Sequence, residues 1–287
     1  MKTHTEYGDR MIIKLLPNVT VIAQTNFTDH PQYDIPDGGD DFIRLGAFAA
    51  KGCYDSFGKN GRSNDMNQIA ILEHRHGSVL EHLNITMFIE GITRGLSLEL
   101  NRHRSFAISQ RSTRYTAEED SCLVLEPYFA SLFRRCPPAF NNATGFYGGL
   151  PVGSLSDKCS VEEQNLLLDH LNIQYDAVQS YQRQVEALMD LNPNGLTGFD
   201  LRKWARGKAR NVLPNGIETR GTWTNNIRGW RWFIESRSDR HAEPEIRVLA
   251  DVVLNKLREV APLYFMDFEK TDVVDGIPEW VPEYHKV

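Results

Sequence analysis

The sequence predicts an α+β chain in which helices dominate over a minority of strands. Two helical periodicities carry the prediction, one over residues 161–191 and one starting near Pro244. A strict alternation at Leu83, Ile85, Met87 and Ile89 adds the strand signature, since successive strand side chains point to opposite faces. With 287 residues, 41% hydrophobic and 24% charged, the chain can bury a core and has room for one large domain, or one domain with a substantial appendage.

In order along the chain, residues 1–40 read as irregular, with one or two short strands carried by Ile12, Ile13, Leu15, Leu16, Val19, Val21 and Ile22. His30-Pro31 and Pro36-Asp37-Gly38-Gly39-Asp40 read as turns. Asp41 opens a helix, and a second is expected over 64–76, capped by Asn64 or Asp65 with Ile69 and Leu72 inward. After the alternating strand, Thr93–Asn101 reads as a helix carrying Leu96 and Leu100. Residues 117–160 hold Pro127, Pro137, Pro138, Gly145, Gly148, Gly149, Pro151 and Gly153, and read as a loop-rich insertion. Residues 161–191 place Leu167, Leu171, Val178, Tyr181, Val185 and Leu188 near helical spacing. A helix over about 199–211 follows. The last begins near Pro244, a residue suited to a first helical turn, and carries Ile246, Leu249, Val253, Leu257 and Val260.

Thirty-two basic and 38 acidic residues leave a formal charge of −6, so non-specific binding to nucleic acid is not expected and phosphate recognition would need a local cationic site. No apolar run is long enough to span a bilayer, and the chain reads as cytoplasmic. Cys53, Cys122, Cys136 and Cys159 form no CxxC pair and no metal spacing, which predicts reduced, mostly structural thiols.

Residues 102–114 supply the local cationic site. Arg102, His103, Arg104, Arg111 and Arg114 fall within thirteen residues that contain no acid. Such a cluster repels itself unless an anion lies against it, and paired guanidinium donors match phosphate. Ser105, Ser109, Ser112 and Thr113 add hydroxyls. The competing reading is a solvated basic face, or arginines paired with acids elsewhere in the fold.

The spacing decides between them. Arg102-His103-Arg104, seven residues, Ser112, then Arg114-Tyr115 resembles the signature of flavin-dependent thymidylate synthases. His76-Gly-Ser78-Val-Leu-Glu81-His82 resembles that family's His-Xaa-Ser/Thr-Xaa-Xaa-Glu-His. Ala209-Arg210-Asn-Val-Leu-Pro214 is similar to its Ala-Arg-Xaa-Xaa-Leu-Pro, and Thr219-Arg-Gly-Thr-Trp223-Thr-Asn-Asn226-Ile-Arg228 to its Thr-Xaa-Xaa-Xaa-Trp-Thr-Xaa-Asn-Xaa-Arg. Arg237-Ser-Asp-Arg-His241-Ala242-Glu-Pro-Glu245-Ile246 is similar to its Arg-Xaa-Xaa-Xaa-His-Ala-Xaa-Xaa-Glu-Ile. These blocks occur in family order over roughly residues 41–268.

The resemblance implies a single catalytic domain over 1–287, with helices packed on a small, mostly antiparallel sheet. It implies reductive methylation of dUMP to dTMP. The carbon would come from 5,10-methylenetetrahydrofolate and the hydride from reduced FAD, recharged by NADPH. No cysteine nucleophile is required, and none of the four cysteines lies in the Pro-Cys-His setting of the conventional enzyme. Arg237 matches the arginine that stabilises negative charge at the pyrimidine N3/O4 edge, an oxyanion-type role. Ser78, Arg102, His103, Arg104, Gln110, Asn226 and Arg228 match flavin contacts, with His76 and Glu81 as further candidates. Glu99, Arg102, Gln110, Ser112, Thr113, Arg114, Arg210 and Arg237 fall to dUMP. Ser112 reads as a nucleotide ligand rather than a nucleophile, because no base stands at triad-like spacing. His76 and His82 are six apart and share no helix face well, so no metal is expected. The family assembles each site from several chains of a homotetramer, which implies the same here.

Three departures qualify the match. Trp232 stands where a flavin-contacting Asn is common. Cys53 lies where a Ser or Cys near the flavin is expected. The insertion and the first forty residues lack a counterpart in the shortest members, and could cover the site or extend an interface. Two rival functions remain: a non-catalytic nucleotide or flavin binder of the same fold, and an RNA-binding protein. The second is disfavoured by the acidic balance and by the absence of interleaved aromatics in the basic segment.

Overall fold

The computed structural model describes residues 4–7, 11–117, 121–141, 145–147 and 159–287. The predicted mixture of helices with small sheets is what it contains. The chain forms two compact units: 1–17, 90–98 and 110–220 in the first, and 18–89, 99–109 and 221–287 in the second.

The elements run in order as strands β1 (His4–Tyr7), β2 (Met11–Lys14) and β3 (Asn18–Gln24), helices α1 (Asp41–Cys53) and α2 (Asn64–Glu73), strand β4 (Asn84–Thr93), helix α3 (Arg94–Leu100), then strands β5 (Ala107–Gln110) and β6 (Ser121–Val124). Next come helix α4 (Pro127–Arg135), strands β7 (Ala139–Asn141) and β8 (Gly145–Tyr147), and helices α5 (Val161–Leu191) and α6 (Gly198–Ala209). Strand β9 (Glu218–Asn226), helices α7 (Ile227–Arg237) and α8 (Pro244–Val260), and strands β10 (Phe268–Val274) and β11 (Ile277–Pro282) complete the chain. One sheet has the order β3-β4-β9-β5. Strands β4, β5 and β9 each begin in one unit and end in the other.

In the first unit, β1 pairs antiparallel with β2, and β2 parallel with β6. Its core joins Ile13, Leu123, Leu132, Phe133, Phe146, Leu167, Leu171 and Val178. The long helix forms where its periodicity placed it because its apolar stripe has this core to cover. Ser160 and Glu163 form a capping box at its start, and Asn192 stops it in the left-handed region at φ 31. Glu218, buried on β9, accepts from Lys14 Nζ at 2.6 Å and from the Gly91 amide at 2.9 Å. Burial pushes its carboxyl up, but the hydrogen bond and charge of Lys14 outweigh this and hold it below the usual value.

The region read as an insertion is more regular than predicted. Pro127 starts a helix instead of breaking one, because Glu126 caps it and a first-turn proline lacks only an amide that the helix does not use. Strands β7 and β8 pair antiparallel, and Asn172 of α5 bonds the Phe146 amide (2.8 Å) and carbonyl (2.9 Å). Gly148, Gly149, Pro151 and Gly153 lie outside the described residues. The expectation of reduced thiols is also corrected: Cys136 and Cys159 form a disulfide, whereas Cys53 and Cys122 are free. A separation of 23 positions hides a partnership that the packing of α4 on α5 creates.

In the second unit, α7 and α8 build a core with Trp223, Trp230, Phe233, Ile246, Leu249, Val253 and Leu257 fully buried. The Trp230 indole donates to the Ile85 carbonyl at 3.1 Å. The Arg231 and Asp267 side chains, only 3% and 2% exposed, form a bidentate pair with both N–O distances 2.7 Å. Helix α2 is shorter than predicted, ending at Glu73, and its cap is Ser63 rather than Asn64 or Asp65. The β10–β11 hairpin was not anticipated, although its Asp275-Gly276 turn, with φ of 56 and 76, is a strong two-residue hairpin signal.

Candidate active site

The Arg-rich segment leaves α3 through a tight backbone turn. The amides of Arg102, His103 and Phe106 donate to the carbonyls of Glu99, Leu100 and His103. Phe106 anchors the turn by pressing its ring edge-on against Trp230 at 4.7 Å and Phe233 at 6.0 Å. His103 stands edge-on against two of these rings, 6.0 Å from Phe106 and 5.4 Å from Phe233.

Arg237 closes this arrangement from the last turn of α7. Its Nε donates to His103 Nε2 at 2.8 Å, and its NH1 lies 3.6 Å from Glu99 Oε2. An Nε2 that accepts must be unprotonated, and the electrostatics agree. Burial first, then the Arg237 charge, pull the His103 pKa from 6.5 to about 4. A histidine so depressed favours the folded state fully above 6.5, and that contribution is lost as pH falls from 6.5 towards 4. At neutral pH the ring is therefore a neutral acceptor aimed at a guanidinium. The geometry brings together three residues that the sequence proposed separately.

A second group lies on the turn 77–82 and at the start of α7. Arg228 NH1 donates to Glu81 Oε1 at 2.5 Å, and its Nε to the Val287 carbonyl at 3.2 Å. Ser78 and His76 are exposed on the same turn. The Asn226 side-chain Oδ1 caps α7 by accepting from the Gly229 amide at 2.8 Å, so that oxygen already serves the helix. Asn225, which no motif position singles out, is buried. Its Nδ2 donates to Ser105 Oγ at 3.0 Å, and its Oδ1 accepts from the Asn226 amide at 2.9 Å. Gly229 makes room for it: a Cβ there would lie 2.3 Å from the Asn225 amide atoms. Arg102 and Arg104 are exposed, and among the described residues neither meets an acid. Trp232 is half exposed, and Cys53 is an exposed free thiol.

In the first unit, Gln110 donates to Ser97 Oγ at 2.9 Å and Thr219 Oγ1 at 3.0 Å. Residues 112–116 form a turn in which the Ser112 carbonyl accepts from the amides of Tyr115 and Thr116. Ser112 Oγ accepts from the Arg114 amide at 3.4 Å, and among the described residues no base faces it. Thr113 is buried, and Arg114 is exposed with its side chain beside Gly207 of α6. Arg206 on α6 donates to the Tyr115 carbonyl at 3.0 Å, and Arg210 caps the end of that helix, exposed.

Exposed guanidiniums beside hydroxyl donors suit a protein that binds phosphate-bearing small molecules. Known proteins narrow this class. The fold is similar to a solved UMP/dUMP methylase, PolB from Streptomyces cacaoi, bound with 5-Br UMP. That likeness has a TM-score of 0.59 over 90% of this chain and 96% of that one, at 18% identity, and shows the fold alone. A flavin-dependent thymidylate synthase of Mycobacteroides abscessus is 36% identical over 261 residues, covering 90% of this chain and 92% of that protein. One of Mycobacterium tuberculosis is 34% identical over 266 residues, with the same coverage. Residues 40–263 match the profile of the thymidylate synthase complementing protein family, and the chain belongs to that family.

Proposed function

We propose that this protein is a flavin-dependent thymidylate synthase, a cytoplasmic enzyme whose catalytic domain spans 1–287. It turns dUMP, 5,10-methylenetetrahydrofolate and NADPH into dTMP, tetrahydrofolate and NADP. The observation that carries the reading is the Arg237 guanidinium held between neutral His103 (2.8 Å) and Glu99 (3.6 Å) in the second unit. FAD, when bound, supplies the hydride.

The chain's own residues bind and polarise. Arg237 stabilises negative charge at the pyrimidine edge, and a permanently cationic planar fork suits that task. Arg102 and Arg104 fit the pyrophosphate of a dinucleotide, since they are exposed and meet no acid among the described residues. Ser78, Arg228, His103, Gln110, Asn226, His76 and Glu81 complete the flavin set. Ser112, Thr113, Arg114, Arg210, Arg102, Glu99 and Gln110 hold dUMP with Arg237. Assembly into a homotetramer with sites shared between chains belongs to the same reading. Among the described residues no helix is long and apolar enough to cross a membrane.

The decisive experiment is an anaerobic assay with FAD, NADPH, dUMP and the folate, following dTMP. A yellow protein that binds FAD and dUMP yet forms no dTMP would leave the non-catalytic reading in its place. Ser112→Ala is expected to weaken dUMP binding about tenfold, the loss of one hydrogen bond to a charged group, with turnover retained at saturation. Abolished turnover at unchanged dUMP affinity would instead make Ser112 a nucleophile.

A further inference from the structure

Arg228 is oriented by a part of the chain that no motif touches. Residues 283–287 leave the β11 strand and return across the second unit, pinned at successive points. The Glu283 amide donates to the Asp267 carbonyl at 3.0 Å, and the Tyr284 amide to Asp267 Oδ2 at 3.2 Å. Arg231 NH2 donates to the Tyr284 carbonyl at 3.0 Å. Glu235 of α7 then holds the next two residues: Oε1 lies 2.9 Å from His285 Nδ1, and Oε2 accepts the Lys286 amide at 3.1 Å.

Lys286 turns the chain through the left-handed region, with φ 55, a conformation that L side chains rarely adopt. The consequence of that turn is that Val287 packs down instead of pointing into water. Val287 is 5% exposed and lies on Gly77: a Cβ at Gly77 would sit 2.4 Å from the Val287 carbonyl carbon and 2.8 Å from Arg228 Nε. Arg228 Nε in turn donates to the Val287 carbonyl while its NH1 holds Glu81. Gly77 opens the turn that carries Ser78 and Glu81. Residues held in sparsely populated backbone regions cluster at functional sites.

We propose that the segment 284–287 is a structural wall of the cofactor site and that Glu235 is a positioning residue for Arg228. Glu235 fixes His285 and Lys286, these place the Val287 carbonyl, and that carbonyl with Glu81 holds the Arg228 guanidinium at one angle. The ligand it serves is the flavin, so the inference rests on the assignment of Ser78, Glu81 and Arg228 to that cofactor. A guanidinium held by two acceptors loses little freedom when it meets an anion or a flavin edge, and that preorganisation favours binding.

The test uses the full chain and measures FAD affinity by quenching of flavin fluorescence, with dUMP affinity and the thermal midpoint followed in parallel. Glu235→Ala is expected to weaken FAD binding about five- to tenfold, the size of one or two lost hydrogen bonds. The dUMP affinity and the thermal midpoint are expected to stay at wild-type values. Glu235→Gln retains an acceptor for the Lys286 amide and is expected to recover most of the affinity. Gly77→Ala, which pushes Val287 and Arg228 apart from their present positions, is expected to weaken FAD binding likewise. FAD affinity of Glu235→Ala within twofold of wild type, or a loss that only tracks a falling thermal midpoint, overturns the inference alone. A wild-type protein that takes up no FAD overturns the flavin assignment beneath it, and the inference falls with it.

Discussion

Arg237→Ala is expected to lower turnover by about two to three orders of magnitude, the usual cost of removing one charge-stabilising donor from an active site. Flavin content is expected to change little by comparison. The guanidinium is fixed on two sides, by the His103 acceptor at 2.8 Å and the Glu99 carboxylate at 3.6 Å. Its remaining N–H groups are therefore already aimed before a substrate arrives. Arg237→Lys is not expected to rescue, because an ammonium cannot donate in plane to the pyrimidine while keeping His103. Steady-state dTMP formation and flavin absorbance on the same preparations check both statements. Turnover within a few-fold of wild type would remove Arg237 from the chemistry.

Protonation of His103 is expected to set the acid limb of the activity. His103 titrates at about 4 in place of 6.5, so it accepts from Arg237 throughout the neutral range. As pH falls from 6.5 towards 4, protonation becomes favourable in the unfolded chain before it does in the folded one, and stability declines over that window. A protonated His103 would also present a donor and a positive charge to Arg237. Turnover is therefore expected to fall on the acid side, and the fall is expected to shift when His103 is replaced.

Asp267→Ala is expected to destabilise the protein by about 3–5 kcal/mol, the cost of leaving one member of a buried ion pair without its partner. Arg231 is 3% exposed and cannot regain water without opening the core between α7 and the β10–β11 hairpin. Asp267 also accepts the Tyr284 amide, so its removal frees the returning segment as well. Urea denaturation read by tryptophan fluorescence measures the loss. Replacing both members, as Arg231→Met with Asp267→Leu, is expected to cost less than Asp267→Ala alone, since no charge is then stranded. A single substitution costing under 1 kcal/mol would show that water reaches Arg231.

Much of the fold follows from local signals. The helix over 161–191 needed only a repeating apolar stripe and the Ser160–Glu163 box, both contiguous in sequence. The strand at Leu83–Ile89 needed only alternation, and Pro244 marked the start of α8. Helix α7 gives no clean periodic signal, because its apolar residues Ile227, Trp230, Phe233 and Ile234 are interleaved with motif residues. The prolines and glycines of the insertion mask its short elements, because these residue types more often interrupt regular structure. Pro127 in fact starts a helix, and Gly145 starts a strand at φ 78.

The candidate site divides in the same way. Arg102, His103, Arg104 and Arg114 stand out in the sequence as an unbalanced cationic cluster, whereas Ser112, Arg210, Arg228 and Arg237 are singled out by the resemblance of the spaced motifs. Their relationships are not legible there. Arg237 and His103 are 134 residues apart, Arg231 and Asp267 are 36, and Arg228 meets a carbonyl 59 residues away. Sequence alone determined the residue types, the local elements and the family pattern, since each depends on near neighbours. Only the tertiary structure decided that His103 is a neutral acceptor, that Cys136 is bonded to Cys159 and that Glu235 and Arg228 both bond the returning segment 285–287. Burial and hydrogen-bond pairing are properties of space, and they exist only once distant segments have packed together.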